Sequence, residues 1–205
     1  MIAPRPLPLL CLLLVLLPCT ALAGAPAEAF RAGVEAADRG DHAAAAEHWR
    51  RAARMDHADA AFRLGVLFDE GLGVEQDDRR ALRWYRRAAQ GGDQRAQFNL
   101  GRLYARGQGV TEDEAEAARW YERAARGGNT YAQYALGNLY NHGGPGLERD
   151  LAAAWFWLTV AAENFGANAF RDNANQLRRR AWDRMGEAER ARARQRLEDW
   201  RAESG

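Results

Sequence analysis

The stretch AQFNLGRLYARGQGVTEDEAEAARWYERAARGG, residues 96–128, decides the fold, because its neighbours on both sides repeat it at a spacing of 36 residues. Leu64-Gly65, Leu100-Gly101 and Leu136-Gly137 fall in step, as do Gly71, Gly107 and Gly143. Trp84-Tyr85 returns as Trp120-Tyr121, and Ala88-Ala89 as Ala124-Ala125. Within the quoted unit Ala96, Leu100, Leu103 and Tyr104 stand at i, i+4, i+7 and i+8, one stripe of a helix. Gly107 follows where a left-handed, helix-ending residue is wanted, and Gly109 keeps the connection tight. Ala117, Trp120, Tyr121, Ala124 and Ala125 form a second helical stripe. Asp113 precedes it as a candidate N-cap, and Asp77 and Asp150 hold the same place in the flanking units. Small Ala beside large Trp and Tyr lets two antiparallel helices interlock. A period of this length predicts an all-α superhelical solenoid whose units bury their apolar faces against one another.

Working outward, the units run over 58–92, 93–128 and 129–166, the last carrying one inserted residue around Gly143-Gly144-Pro145-Gly146. An atypical tetratricopeptide-like hairpin over 24–57 precedes them, with helices at about Glu28–Asp38 and His42–Arg54 joined by Arg39-Gly40-Asp41. It lacks the double-glycine loop. Residues 167–205 do not repeat and read as two capping helices, with Leu177, Ala181, Trp182, Met185, Ala193, Leu197 and Trp200 turned to the open end of the stack. Arg178-Arg179-Arg180 reads as a solvated face, since the segment from 166 onward sets ten Arg against seven acids.

Residues 1–23 read as an export signal. Arg5 precedes an apolar run from Leu7 to Leu17, and Ala21-Leu22-Ala23 supplies a small-x-small cleavage pattern. The run is shorter than the ~20 residues a spanning helix needs. An uncleaved anchor and lipid attachment at Cys19 are the competing readings. Cys11 and Cys19 both lie in this segment, so a chain cleaved after Ala23 has no thiol, disulfide or cysteine nucleophile. All 29 basic residues are Arg, and without Arg5 they balance the 28 acids. That balance argues against general nucleic-acid binding and against a polybasic membrane anchor.

These residues resemble the Sel-1-like repeat family, relatives of the tetratricopeptide repeats. Ala96, Leu100-Gly101, Tyr104, Gly107, Gly109-Val110, Asp113, Ala117, Trp120-Tyr121, Ala124-Ala125 and Gly128 follow its pattern position by position. The unit at 58–92 has Phe68 in place of Tyr, and Trp155-Phe156-Trp157-Leu158 before Ala161-Ala162 is similar to a closing unit. The resemblance implies an α/α superhelix used as a protein-interaction scaffold, often in the bacterial envelope. Cysteine-rich exported relatives suggest an alternative, a cell-wall-related or β-lactam-binding hydrolase. This chain lacks their cysteines and, having no Lys, any Ser-x-x-Lys motif.

Little else points to chemistry. His42, His48, His57 and His142 form no metal-binding pattern, and the one serine is Ser204. No catalytic residue, cofactor or metal is expected. The informative positions are those of each first helix turned away from the repeated stripe: Asp59, Arg63, Val66, Glu70; then Arg95, Asn99, Arg102, Arg106; then Tyr131, Ala135, Asn138, His142. They change from unit to unit while the stripe does not. In tetratricopeptide-like superhelices this helix lines the groove, which makes Arg63, Arg95, Asn99, Arg102, Arg106, Tyr131 and Asn138 the candidate partner surface. An ordinary solvated face is the competing reading. The expectation is a non-enzymatic adaptor, periplasmic or secreted, that docks a protein or peptide without inserting in the membrane.

Overall fold

The computed structural model describes residues 19–204, with side chains from 24 to 203. Its ten helices are α1 (Cys19–Asp38), α2 (His42–Arg54), α3 (Ala58–Glu70), α4 (Asp78–Gln90), α5 (Gln94–Arg106), α6 (Glu114–Arg126), α7 (Thr130–His142), α8 (Leu151–Asn164), α9 (Ala169–Arg184) and α10 (Glu187–Ser204). Among the described residues there is no strand, and no helix is long and apolar enough to cross a membrane. The expected export run Leu7–Leu17 lies outside the described residues, and the expected cleavage point after Ala23 falls within α1. The helices pair as α1·α2, α3·α4, α5·α6 and α7·α8, and each second helix packs on the first helix of the next pair. This is the all-α solenoid that the 36-residue period requires.

Short polar side chains start the helices. Asp41, Asp77, Asp113 and Asp150 each accept a bond of 2.9 Å from a backbone N–H in the first turn of the second helix of their pair. The first helices after α1 are capped too, by three different chemistries at one register position. His57 Nδ1 accepts from Ala60 N at 3.3 Å, Asp93 from Ala96 N at 3.1 Å, and Asn129 from Ala132 N at 2.9 Å. Each such cap contributes ~0.5–2 kcal/mol by satisfying an otherwise unpaired donor. Helix ends are tied as well. Gln97 and Gln133 stand at the same place in successive units, and each donates through Nε2 to a carbonyl in the last turn of the preceding helix, Ala89 and Ala125.

Glycine decides two features of the packing. Gly71 and Gly107 end α3 and α5 in the left-handed region at φ 70° and 65°. Gly143 shares the positive φ but has extended ψ, because the inserted residue reshapes 143–150 into a turn in which Gly144 and Leu147 exchange backbone hydrogen bonds. Inside the first helices glycine instead makes room for a ring. A Cβ on Gly65 would stand 2.6 Å from Tyr85, and on Gly101 2.5 Å from Tyr121. Leu158 fills the same place against Gly137. The long loops also reach backward, since a Cβ on Gly73 would meet the Ala43 nitrogen at 2.5 Å and one on Gly109 the Asp78 carbonyl at 2.6 Å. Each loop thus rests on the start of the preceding pair's second helix.

The first pair differs from its expected reading in one informative way. Its helix contains Ala29-Phe30-Arg31-Ala32-Gly33-Val34, which answers Ala61-Phe62-Arg63-Leu64-Gly65-Val66 at a spacing of 32, while Trp49 answers Tyr85 at 36. Gly33 accordingly takes the ring of Trp49, whose Cδ1 would be 2.4 Å from an added Cβ. Trp49 also donates to the Phe30 carbonyl at 3.3 Å. The pair is therefore an ordinary unit from which four loop residues are missing, leaving Arg39-Gly40-Asp41 in place of the seven residues 71–77.

The stripes expected in the core are buried: Leu64, Leu100, Leu136, Tyr85, Tyr121, Trp120, Trp157 and the paired alanines. Trp84, Tyr104 and Tyr140 are half-buried, so Trp84 departs from its buried counterparts Trp120 and Trp157, and Tyr104 and Tyr140 from Phe68. α8 is apolar on nearly all sides because α7, α9 and α10 all pack on it. Trp200 stacks edge-on to Phe156 and Trp157, Trp155 lies 5.1 Å from Trp182, and Ala181, Met185, Ala193 and Leu197 are buried, so α9 and α10 close the stack.

Candidate interaction face

The non-repeating positions of α3, α5 and α7 form the candidate face, and the structure gives each a distinct setting. Arg95 of α5 donates to Asp59 of α3 and to its neighbour Asp93, both at 2.5 Å, with its guanidinium carbon 4.1 Å from the Phe62 ring centroid. Arg63 lies 3.7 Å from the same Asp59 and stacks over Phe30 and Trp49. Arg102 of α5 donates to Asp69 of α3 and, at 3.0 Å, to Gln108. The Tyr85 hydroxyl donates to the same Asp69 carboxylate at 3.0 Å. These arginines clasp successive first helices together, bridging 36 and 33 residues of chain.

Around the Asp69 cluster lies a cavity of about 390 Å³ whose wall includes Glu70, Tyr85, Asn99, Arg102 and Gln108. Burial and then the Asp69 charge push the Tyr85 hydroxyl well above the ordinary phenol range, so it remains a donor at any physiological pH. Burial pushes Tyr121, the next unit's counterpart, up to about 12. Arg106 is exposed at the end of α5 and has no hydrogen-bond or ion-pair partner among the described residues. Asn138 is half-buried, and its carbonyl accepts from His142 Nδ1 at 2.9 Å.

Tyr131, 51% exposed, belongs to an aromatic patch. It meets Phe165 and Phe170 edge-on at 5.4 and 5.3 Å, with Phe98 and Tyr134 beside them. Phe170 is itself 44% exposed. Sequence reasoning missed the two phenylalanines because they lie past the last full helix pair, where no period marks them. It also missed Asp69. Asp59 and Arg95 are complementary one period apart, so that clasp was legible in principle, whereas the 33-residue step from Asp69 to Arg102 follows no period. Among the described residues no group of three His, Cys, Asp or Glu side chains is placed to hold a metal ion.

The Sel1 repeat pattern matches residues 22–57, 58–93, 94–129 and 130–164, one match to each helix pair. The chain is similar to a Sel1 repeat protein from Oxalobacter formigenes, with 28% identity over 78% of this chain and 75% of that one, at a TM-score of 0.63. It is also similar to c5321, a protective antigen of uropathogenic Escherichia coli with the same repeat fold, at 26% identity and a TM-score of 0.54. That likeness covers 88% of this chain but only 46% of c5321. No curated protein sequence matches significantly. Four consecutive matches laid over four interlocked helix pairs place the chain in the Sel1 repeat family, whose repeats generally mediate protein–protein interaction.

Proposed function

We propose that this protein is a non-enzymatic adaptor of the bacterial cell envelope, exported by residues 1–23, that docks a protein or peptide along the first-helix face of α3, α5 and α7. The observation that carries the reading is the pairing of Tyr131 with Phe170. Both are large, about half exposed and in contact, and they lie at the end of a face in which Arg63, Arg95 and Arg102 are held in place by Asp59 and Asp69. Rigid aromatics of this kind are favoured anchors at interfaces, and a surface ordered in advance loses less entropy on docking. The balanced charge of the chain after Ala23 favours a protein over a nucleic acid as the partner.

Affinity capture from the native envelope extract, followed by mass spectrometry, tests the proposal. The paired change Tyr131→Ser and Phe170→Ser is expected to deplete the captured partner while leaving the helical circular-dichroism signal in place. An unchanged set of captured proteins refutes the assignment of the face. Intact mass of the protein recovered from its own cell tests export, since cleavage after Ala23 leaves a chain beginning at Gly24.

A further inference from the structure

A second feature lies among the second helices and is independent of the face just described. α2 and α4 border a cleft of about 700 Å³ into which Arg50, Arg54, Arg80, Arg83, Arg86 and Arg87 project. Phe68 and the half-buried Trp84 supply the apolar part of its lining. α4 carries five arginines against the single acid Asp78, whereas α6 has three against three.

The internal repeat shows that packing does not demand this charge. Thirty-six residues on, the same six positions hold Arg86, Gln90, Glu116, Arg119, Glu122 and Arg123. The α4–α6 boundary is thus built on the same scaffold with mixed charge, and its tryptophan, Trp120, is buried. The positive excess and the accessible tryptophan coincide at one boundary only among those two. Local acids neutralise only part of it. Arg50 pairs with Glu47 on its own helix, Arg87 with Asp56, whose side chain is 89% exposed, and Arg80 with its own helix cap Asp77, while Arg86 donates to the Tyr104 hydroxyl at 2.8 Å. The side chains of Arg54 and Arg83 have no hydrogen-bond or ion-pair partner among the described residues. Exposed pairs of this kind are weak and exchange readily for a better-placed carboxylate.

We propose that the α2–α4 cleft is a docking site for an acidic peptide segment of a protein partner. Several guanidinium forks in one concave site match carboxylates bidentately. Trp84, half-buried at the cleft, offers a partly apolar surface for the side chains between them. A long polyanion is the poorer match. Glu116 and Glu122 occupy the corresponding positions of the adjoining boundary, so a phosphate chain continuing along the stack runs onto carboxylates. A short acidic segment needs only the one cleft.

Fluorescence anisotropy on the full chain tests this with three labelled probes: a peptide of five Glu around one Phe, the same peptide with Gln for Glu, and a single-stranded oligonucleotide of equal length. The Glu peptide is expected to bind with an affinity that falls as salt rises, and the Gln peptide not to bind. Arg54→Gln with Arg83→Gln is expected to weaken binding about tenfold. A second variant, Arg54→Gln, Arg80→Glu and Arg86→Glu, copies the residues of the next boundary and so keeps a packing the fold already uses; it is expected to lose at least as much. Tyr131→Ser with Phe170→Ser is expected to leave this binding unchanged, which separates failure of this proposal from failure of the first-helix face. The proposal is overturned if the Glu peptide does not bind, if the Gln peptide binds equally, if either arginine variant binds as the parent does, or if the oligonucleotide binds more tightly than the Glu peptide.

Discussion

Replacing Gly101 by Ala sets two physical effects of opposite sign against each other. In a helix interior Ala is favoured over Gly by ~0.8–1.0 kcal/mol, so α5 considered alone is stabilised. In this fold the added Cβ stands 2.5 Å from Tyr121 Cδ1 and 2.6 Å from Cε1, against the ~3.5–4.0 Å of an ordinary carbon contact. The ring, buried and packed 5.7 Å from Phe98, has to move by about 1 Å or push α6 away from α5. Such overpacking costs ~1–3 kcal/mol. The net expectation is a loss of about 1 kcal/mol, the middle of a range that runs from near zero to ~2 kcal/mol. With a urea m-value of ~1–3 kcal/mol/M, a loss of that size lowers the midpoint by roughly 0.3–1 M, read by circular dichroism. Tyr121→Ala alone removes a buried ring and is expected to cost ~3–5 kcal/mol. In the double variant the two changes relieve each other, so the combined loss falls short of their sum by ~0.5–3 kcal/mol. A midpoint that rises in Gly101→Ala, or strict additivity in the double variant, refutes the account of glycine as the seat for a ring.

Two further outcomes follow from the same geometry. Asp69→Ala strands both Arg102 and the Tyr85 hydroxyl and is expected to lower stability by ~1–3 kcal/mol, while Asp69→Asn, which keeps an acceptor, costs less; equal thermal midpoints for Asp69→Ala and the parent contradict the clasp. Stability is also expected to decline at alkaline pH: Tyr121 ionises from an ordinary 10.0 when unfolded but only at about 12 when folded, so its contribution is complete below pH 10 and is lost as pH rises toward 12, at ~1.4 kcal/mol per pH unit, and Tyr121→Phe should make the urea midpoint less steep over that window.

Much of the scaffold was legible because local rules write it locally. Asp113 and its counterparts precede apolar stripes and do cap helices, and Gly71 and Gly107 have the positive φ that their position demands. Trp84 departs from the buried setting of Trp120 because its neighbours line an open cleft, which a stripe of equal spacing does not reveal. The first unit departs from the others in sequence because its two halves follow different spacings, 32 and 36, so only its second half stays in step with the 36-residue period. The candidate face was legible as a set of positions but not as a set of interactions. The sequence makes Arg95 and Arg102 part of a candidate partner surface, and the structure gives each an aspartate of the neighbouring helix pair. Ion pairs across a stack join residues that no window of sequence brings together. Arg102→Glu is for that reason a poor probe of docking, because it sets a carboxylate beside Asp69. Arg106, exposed and unpaired among the described residues, is a clean one.

The missing four residues of the first loop bear on how such an array can lengthen. Gly73 and Gly109 let their loops lie against the helix behind them, so every seven-residue loop is a latch that points toward the N-terminus. Arg39-Gly40-Asp41 is too short to be one. The stack therefore has a polarity that its near-identical units conceal. A duplicated copy of 58–93 or 94–129 brings its own latch and extends the array from within. A unit spliced ahead of α1 meets a pair that has none, and that junction would rest on helix packing alone.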